Sequence, residues 1–311
     1  MKKDSRTLVY IVLLNWNGLP DTLECLESLK KIDYPNFEVV VVDNNSSGDD
    51  AKIIKEKFGD FIKEIIASKE NLGFSGGNNL GIKYALDKQA DFILLLNNDT
   101  TAESDFLGKL LDVFNRNNNL GISAPQINYY DTPEIVWTVG GKISKIRGSG
   151  FAYSDKNESE IENKEKVVTF ASGCCLLIKR EVFNKVGLFD EKFFLYVEDT
   201  DFCYRTGKAG YKIIVSPNSK IYHKIGRSVS EDLKQLPLYY TTRNRLFFAK
   251  KNFYGFHLIT TIYIFITMLY KTFLWLTKGK TKNIAAVKHS FYDFFRDSMG
   301  KTNTEELMVN K

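Results

Sequence analysis

The chain has 311 residues, 43% apolar and 26% charged, and its 43 Lys and Arg against 38 Asp and Glu give a net charge of +5. That length fits one large α/β domain, alone or with an appendage, and the apolar share fits a sizeable globular core. The basic excess is small and interleaved with acids, which argues against a nucleic-acid partner.

In chain order, "MKKDSRTLVYIVLLNWNG" sets basic residues before an apolar stretch. The stretch is short for a signal peptide, and Asn15-Trp16-Asn17-Gly18 stands where a small-residue cleavage site belongs, so it reads as a first buried strand. Pro20 to Lys30 places Leu23, Leu26 and Leu29 on one helical face, with Pro20 in a favourable first-turn position. "FEVVVV" is a second buried strand, Asp49 to Phe58 a helix, "FIKEIIA" a short strand and Ser75 to Lys88 a helix. "DFILLL" is the next strand, Glu103 to Asn115 an amphipathic helix, and "LGISAP" closes the series. Repeated βα units with near-continuous apolar strands predict a mostly parallel, Rossmann-like sheet with helices on both faces.

Residues 126 to 170 break this pattern. Glycines at 140, 141, 148 and 150 and the polar run "SDKNESEIENKEK" predict an irregular, partly mobile insertion. "VVTFASGCCLLIKR" resumes as a strand. A short helix, a loop and a second helix follow, ending at Gly210, and then "YKIIVSP" and "SKIYH" as two short strands. From Ser230 onward the chain reads as helices. Cys25, Cys174, Cys175 and Cys203 show no metal-ligand spacing and read as reduced core residues of a cytoplasmic protein.

The region from Lys208 to Lys288 is basic and aromatic, which fits an anionic membrane surface. Within it, Leu258 to Thr277 is long enough to span a bilayer, although Lys271 and several Thr interrupt it. Lysines 250, 251, 278, 280 and 282 flank it on both sides and give no direction of insertion. A spanning helix, an interfacial helix and a helix packed on the protein's own core all remain open. The aromatic, basic stretch "YYTTRNRLFFAKKNF" is read as part of the same membrane-contacting region.

In an open parallel sheet, ligands bind beyond the carboxyl ends of the strands. Those ends carry Asn15-Trp16-Asn17-Gly18, then Asp43 to Asp49, then Glu70 to Asn79, then Asn97-Asn98-Asp99-Thr100. Asn, Asp and Gly are ordinary turn residues, so no single cluster decides anything; four along one rim point to a binding edge. Asp43 is read as an acceptor for a nucleobase edge or as a turn residue, and Trp16 as a stacking partner for that base or as core. Gly73, Gly76 and Gly77 would let backbone approach a diphosphate at a helix start, or simply loosen that start. Asp99 is read as a ligand for Mg²⁺ or Mn²⁺, or as a helix cap.

A second cluster, Glu198-Asp199-Thr200-Asp201, follows a run of aromatics. An acidic first turn suits the helix dipole, but carboxylates among Phe189, Phe193, Phe194, Tyr196 and Phe202 also suit a raised pKa and work as a base. Glu198 and Asp201 lie one turn apart, with Asp199 pointing elsewhere. His223 ends a short strand downstream and could reach the same site as a metal ligand.

In this order, "VLLNWNG", "VVDNNSSGDD", "NLGFSGGNNLGI", "ILLLNNDT", "SGCCLLIKREVFNKVGLFDEKFFLYVEDTDFCYR" and "IYHKIGRS" resemble family 2 glycosyltransferases of the GT-A fold, in particular their rhamnosyltransferase-like branch. The resemblance spans most of residues 8 to 228. It implies a GT-A domain over 1–228, with a nucleotide-sugar half at 1–125 and an acceptor half at 126–228. A helical extension over 229–311 would associate with membrane. It also implies a nucleotide-diphosphosugar donor, dTDP-rhamnose first and UDP-sugars second, and inversion at the anomeric carbon. By position, Asp43 resembles the base-reading carboxylate and Trp16 the aromatic beside the base. Asn97-Asn98-Asp99 resembles the DXD-type metal site, and His223 the late histidine that assists metal and diphosphate. Asp199 resembles the catalytic base, supported by Glu198 and Asp201. Asn15, Asn17, Asn71, Gly73, Gly76, Gly77, Asn78, Asn97 and Asn98 complete the expected donor surface. Asn97 departs from the acidic pattern and leaves one firm carboxylate, Asp99, for the metal.

The expected acceptor is a saccharide or lipid-linked saccharide, used at the cytoplasmic face of the cell membrane in surface-polysaccharide synthesis. Two other readings are weighed. A sugar-1-phosphate nucleotidylyltransferase needs a basic glycine-rich loop after the first strand, and "NWNGLPD" has no Lys or Arg. A non-catalytic sugar-nucleotide-binding subunit of an envelope-assembly complex is opposed by the retention of Glu198, Asp199 and His223.

Overall fold

The computed structural model describes residues 7–153, 155–225 and 235–303. The basic start at 1–6, the end of "IYHKIGRS" at 226–228 and the 228/229 boundary drawn there lie outside the described residues.

Four βα-type strands build the first half: β1 (Val9–Asn15), β2 (Phe37–Asp43), β3 (Ile62–Ala67) and β4 (Phe92–Asn97). All are parallel in the order β3-β2-β1-β4. The register sets Asn15 opposite Asp43 and Leu14 opposite Asn97, so the polar strand ends share one edge. Alternate residues of each strand point to opposite faces. Val9, Ile11 and Leu13 pack with α1 (Leu19–Leu29), α2 (Asp50–Phe58) and α4 (Phe106–Arg116). Tyr10 and Val12 pack with α3 (Gly73–Asp87), α5 (Arg180–Val186) and α6 (Glu198–Lys208). Burial on both faces is why these strands are apolar throughout.

The sheet then becomes mixed. β5 (Thr100–Ala102) and β6 (Leu120–Tyr129) follow, and β12 (Cys175–Lys179) inserts antiparallel between β4 and β6. The two short strands expected near residue 216 are one, β13 (Lys212–His223). It runs beside β6 with a register break between Ser216 and Lys220, where Pro217 interrupts the ladder.

The insertion is more ordered than its composition predicts. β7 (Ile135–Thr138) and β10 (Lys156–Asn157) extend the main sheet, β8 (Gly141–Ser144) and β9 (Ser149–Ala152) form a hairpin, and β11 (Lys166–Val168) pairs with β13. Its acids are paired with the body: Glu165 with Arg116 at 2.5 Å, Glu158 with Lys220, and Asp155 with the Tyr129 hydroxyl at 2.7 Å.

Three helices end the described chain: α7 (Leu236–Asn252), α8 (His257–Leu276) and α9 (Thr281–Phe295). They share a core with the segment before α6, since Phe193 and Val197 cluster with Leu246, Phe247 and Phe248. "YYTTRNRLFFAKKNF" is therefore not a membrane-facing surface. Tyr239, Tyr240, Arg243, Asn244 and Phe248 are buried, Lys251 pairs with Asp190 and Asp201, and Lys250 with Asp297. The apolar surface belongs to α8 instead.

Candidate active site

The strand-end rim is knitted from inside. Asn15 is fully buried, and its amide donates to Asp43 Oδ1 (2.9 Å), Ser46 Oγ (3.1 Å) and Asp50 Oδ2 (3.0 Å) while its carbonyl accepts from Thr22 Oγ1 (2.8 Å). Asn98 donates to Thr22 Oγ1 at 2.8 Å. Both amides tie β1 and β4 to α1 rather than facing outward. Asp43 is further held by Ser46 Oγ at 2.6 Å, and Asn17 Oδ1 accepts from the Ser47 amide at 2.8 Å, which closes one loop on another. Trp16 is left standing out of the rim, 43% exposed, with its ring available for stacking.

The glycines of α3, read as open to a diphosphate or as a loose helix start, are packed closely against their neighbours. A Cβ at Gly77 would lie 2.4 Å from Leu14 Cδ1, and one at Gly76 2.8 Å from Leu72 Cβ. Gly73 has φ +69, and a Cβ there would lie 2.3 Å from the Phe194 carbonyl oxygen. That oxygen already accepts from the amides of Phe74 (2.7 Å) and Ser75 (3.3 Å), so the helix start is capped by protein. Asn44 holds the loop before it, bonding Asn71 Oδ1 (3.1 Å), Gly73 O (3.0 Å) and Leu72 N (2.9 Å), and Asn78 turns back to Phe74 O (2.9 Å).

At the end of β4 the sequence places three polar residues, and the fold selects one. Asp99 Oδ1 lies 3.0 Å from His223 Nε2, both residues being mostly buried. β5 and β13 pair Thr100 with His223, which is what brings them together across 124 positions. The His223 ring also packs on Trp137, 4.9 Å between centroids, and lies beside Cys174. Burial works against an imidazolium here, but Cys174 and the Asp99 carboxylate outweigh it and raise the His223 pKa to about 10. Next in sequence, Lys224 reaches back to Asp21 (2.6 Å) and Glu24 (2.5 Å) and fastens α1 to this corner. Asn97, at the end of the same strand, is half-buried.

The acidic turn divides differently from its expected pattern. Asp199 Oδ2 accepts from the Gly173 amide at 3.0 Å, and its Oδ1 from the Thr200 amide at 2.6 Å. Burial raises its pKa, opposed by those bonds. Glu198 is buried, its Oε2 has no hydrogen-bond partner among the described residues, and burial with the Asp199 charge holds its pKa well above the usual carboxylate range. Asp201 is the one that points elsewhere. It is fully buried and bound by Arg205 Nε (2.7 Å), Lys251 Nζ (3.0 Å) and Asn252 Nδ2 (2.9 Å), so it joins α6 to α7. Asp199 is the carboxylate that meets Gly173, with Glu198 near enough for their charges to interact, while Asp201 is bound on the α7 side.

The two corners meet through one short segment. The Asn97 amide donates to the Cys174 carbonyl at 2.8 Å, and the neighbouring Gly173 amide holds Asp199. A Cβ at Gly173 would press on both Asp199 Cβ and Phe74 Cζ, each 3.2 Å away. Gly173, Cys174, Trp137 and Asn244 escaped sequence reasoning. Of these only "SGCC", a glycine ahead of a strand, carried a local signal. Among the described residues no three His, Cys, Asp or Glu converge as a metal cage, and Asp99 and His223 are the ionisable pair at this corner.

Residues 10–187 match the family model described as Glycosyl transferase family 2. The dTDP-rhamnosyl transferase RfbF of Shigella flexneri is 28% identical over 253 residues, which cover 78% of this chain and 80% of that protein. The N-acetylglucosaminyl-diphospho-decaprenol L-rhamnosyltransferase of Mycobacterium tuberculosis is 23% identical over 240 residues, covering 71% and 78%. The mannosyltransferase PcManGT from Pyrobaculum calidifontis, solved with GDP-Man and Mn²⁺, superposes with a TM-score of 0.59 at 13% identity, over 95% of this chain and 89% of its own. The shared architecture is the GT-A fold.

Proposed function

The chain belongs to glycosyl transferase family 2, and from that premise we propose that it transfers a sugar with inversion from a nucleotide-diphosphosugar to a saccharide or lipid-linked saccharide. The observation that carries this reading is the convergence of Asp199 and Asp99 on the two sides of Gly173-Cys174. An acceptor hydroxyl attacks the anomeric carbon as the bond to the diphosphate oxygen breaks on the opposite face, and Asp199 takes the hydroxyl proton. Its raised pKa, set by burial, makes it a stronger base than an exposed carboxylate. Burial and the Asp199 charge disfavour the charged form of Glu198 beside it. Trp16 and Asp43 flank the place for the base of the donor.

Asp99 and, once it gives up the proton it shares with Asp99, His223 would hold Mg²⁺ or Mn²⁺. Two protein donors fit a cation that takes its remaining ligands from phosphate and water. When bound, such an ion offsets the charge that gathers on the leaving diphosphate. The donor is dTDP-rhamnose in the first instance, on the names of the relatives, with UDP-sugars as the alternative. A lipid-linked acceptor is the first choice, as the name of the mycobacterial relative indicates for that protein, with a free saccharide as the alternative.

Membrane contact is made by α8, the one helix among the described residues long and apolar enough to cross a bilayer. Thr260, Ile264 and Met268 pack inward, while Leu258, Ile262, Phe265, Ile266, Leu269 and Phe273 are between 55% and 64% exposed along one side. A helix with one packed side and one apolar side lies in the interface, and the following lysines 278, 280 and 282 meet the anionic headgroups of the cytoplasmic leaflet.

A thermal-shift panel of dTDP-rhamnose, UDP-glucose and GDP-mannose, with and without Mn²⁺, identifies the donor, because a ligand that binds the native state stabilises it. Proton NMR of the product then reads its anomeric configuration. No response to any nucleotide sugar, or a retained configuration, sinks the proposal. Sedimentation with anionic vesicles tests α8: Ile262→Ser combined with Phe265→Ser and Ile266→Ser should release the protein to the supernatant.

A further inference from the structure

The segment that delivers Glu198 and Asp199 is held in an unfavourable backbone shape. Phe194 (φ 61), Tyr196 (φ 67) and Val197 (φ 75) are three non-glycine residues in the left-handed region within four positions. For β-branched Val197 this is a pronounced outlier. Such a shape persists only if its surroundings fix it, and the fixing groups lie mainly in the C-terminal helices. The Asn244 side-chain amide of α7, fully buried, donates to the carbonyls of Phe193 (2.8 Å), Leu195 (2.9 Å) and Tyr196 (2.9 Å). Its own oxygen accepts from Arg243 Nε at 3.1 Å, and Arg243 is anchored by Tyr239 Oη (2.9 Å) and the Gly300 carbonyl (2.8 Å). The Tyr240 ring stacks on Phe194 at 5.3 Å, and from the other side the amides of Phe74 and Ser75 hold the Phe194 carbonyl.

We propose that Asn244 is a positioning residue for Asp199, so that the C-terminal helices are part of the catalytic scaffold as well as a membrane contact. An amide has two N–H donors, and three carbonyls share them; no other uncharged side chain of that size offers two donors to one loop. With the three carbonyls held, Val197 turns directly into α6 and aims Asp199 at the Gly173 amide. Without them the segment relaxes out of the left-handed region and the carboxylate leaves its place, while the rim that binds the donor stays intact because it is bonded within β1, β2, β4 and α1.

The proposal rests on Asp199 being the base, and the test separates the two. Asn244→Asp keeps shape and removes both donors, leaving a carboxylate against three carbonyl oxygens. In the full-length protein with dTDP-rhamnose and Mn²⁺, turnover should fall by about 100-fold with donor KM changed by less than about twofold. Amide hydrogen exchange over 193–199 should quicken with the strand ends unaffected. Unchanged exchange over 193–199 overturns the clamp, whatever the activity. Faster exchange with undiminished turnover overturns the positioning role where Asp199→Asn is inactive, and removes Asp199 from the chemistry where Asp199→Asn is active. Should Asn244→Asp fail to fold, Gly73→Ala applies the same strain from α3, because its Cβ would lie 2.3 Å from the Phe194 oxygen; the same split between turnover and KM is expected, and its absence overturns the proposal.

Discussion

The Asp99 corner and the Asp199 corner are made in opposite ways. Asp99 sits at the end of a fully buried parallel strand, and its partner His223 is delivered by ladder pairing between β5 and β13. Asp199 sits after a strained turn whose shape is imposed by backbone amides of α3 and side chains of α7. A group that must stay fixed relative to a large bound ligand is carried on the sheet. On the proposed roles, the group aimed at one proton is carried in the first turn of a helix, entered through a loop that other elements hold in place.

That contrast can be broken in several ways, beginning with the largest effect. Asp99→Asn should lower turnover by about 100-fold and weaken donor binding in the same measurement, since it acts on the diphosphate; normal donor affinity in this variant would merge the two corners into one. Asp201→Asn should act on stability instead. It leaves Lys251 and Arg205 facing an amide, and because both cations are partly exposed the cost is about 2 kcal/mol, or about 3 °C in Tm. Turnover at low temperature should be preserved; its loss in a folded protein would return Asp201 to the catalytic group. Gly81→Ala should destabilise by about 1–3 kcal/mol through overpacking, with its Cβ 2.3 Å from Val12 Cγ1, while donor affinity of the folded fraction holds.

The smallest effect is a pH dependence. The folded-state pKa of Glu198 is raised above its unfolded value by burial and by Asp199, so the native state binds the proton more tightly and stability falls as pH rises above about 4.3, the ordinary glutamic value. Glu198→Gln removes this loss. Its advantage in Tm over the parent should therefore grow between about pH 5 and about pH 8, and an advantage that shrinks over that range contradicts the assignment.

The parallel half of the fold and the rim were legible because both signals are local: apolar runs of strand length, each ended by turn residues. The antiparallel entry of β12 between β4 and β6 was not, because strand order is a long-range property that "CCLLIK" does not carry. The insertion looked irregular from its polar run, yet Glu158 and Glu165 find cations on neighbouring elements. In the acidic cluster three carboxylates in four positions look alike in sequence. Lys251, fifty positions downstream, pairs with Asp201 and sets it apart from Glu198 and Asp199. Asn244 lay within a stretch read as membrane-facing, and only tertiary packing reveals that its amide meets three carbonyls.

The central claim is that donor binding and proton removal are carried by separate corners. The most direct test is Asp199→Asn, with dTDP-rhamnose binding measured by titration calorimetry beside turnover. The expected result is donor affinity within about twofold of the parent and turnover lower by about 1000-fold. Turnover that survives the substitution, or donor affinity that collapses with it, would contradict the account.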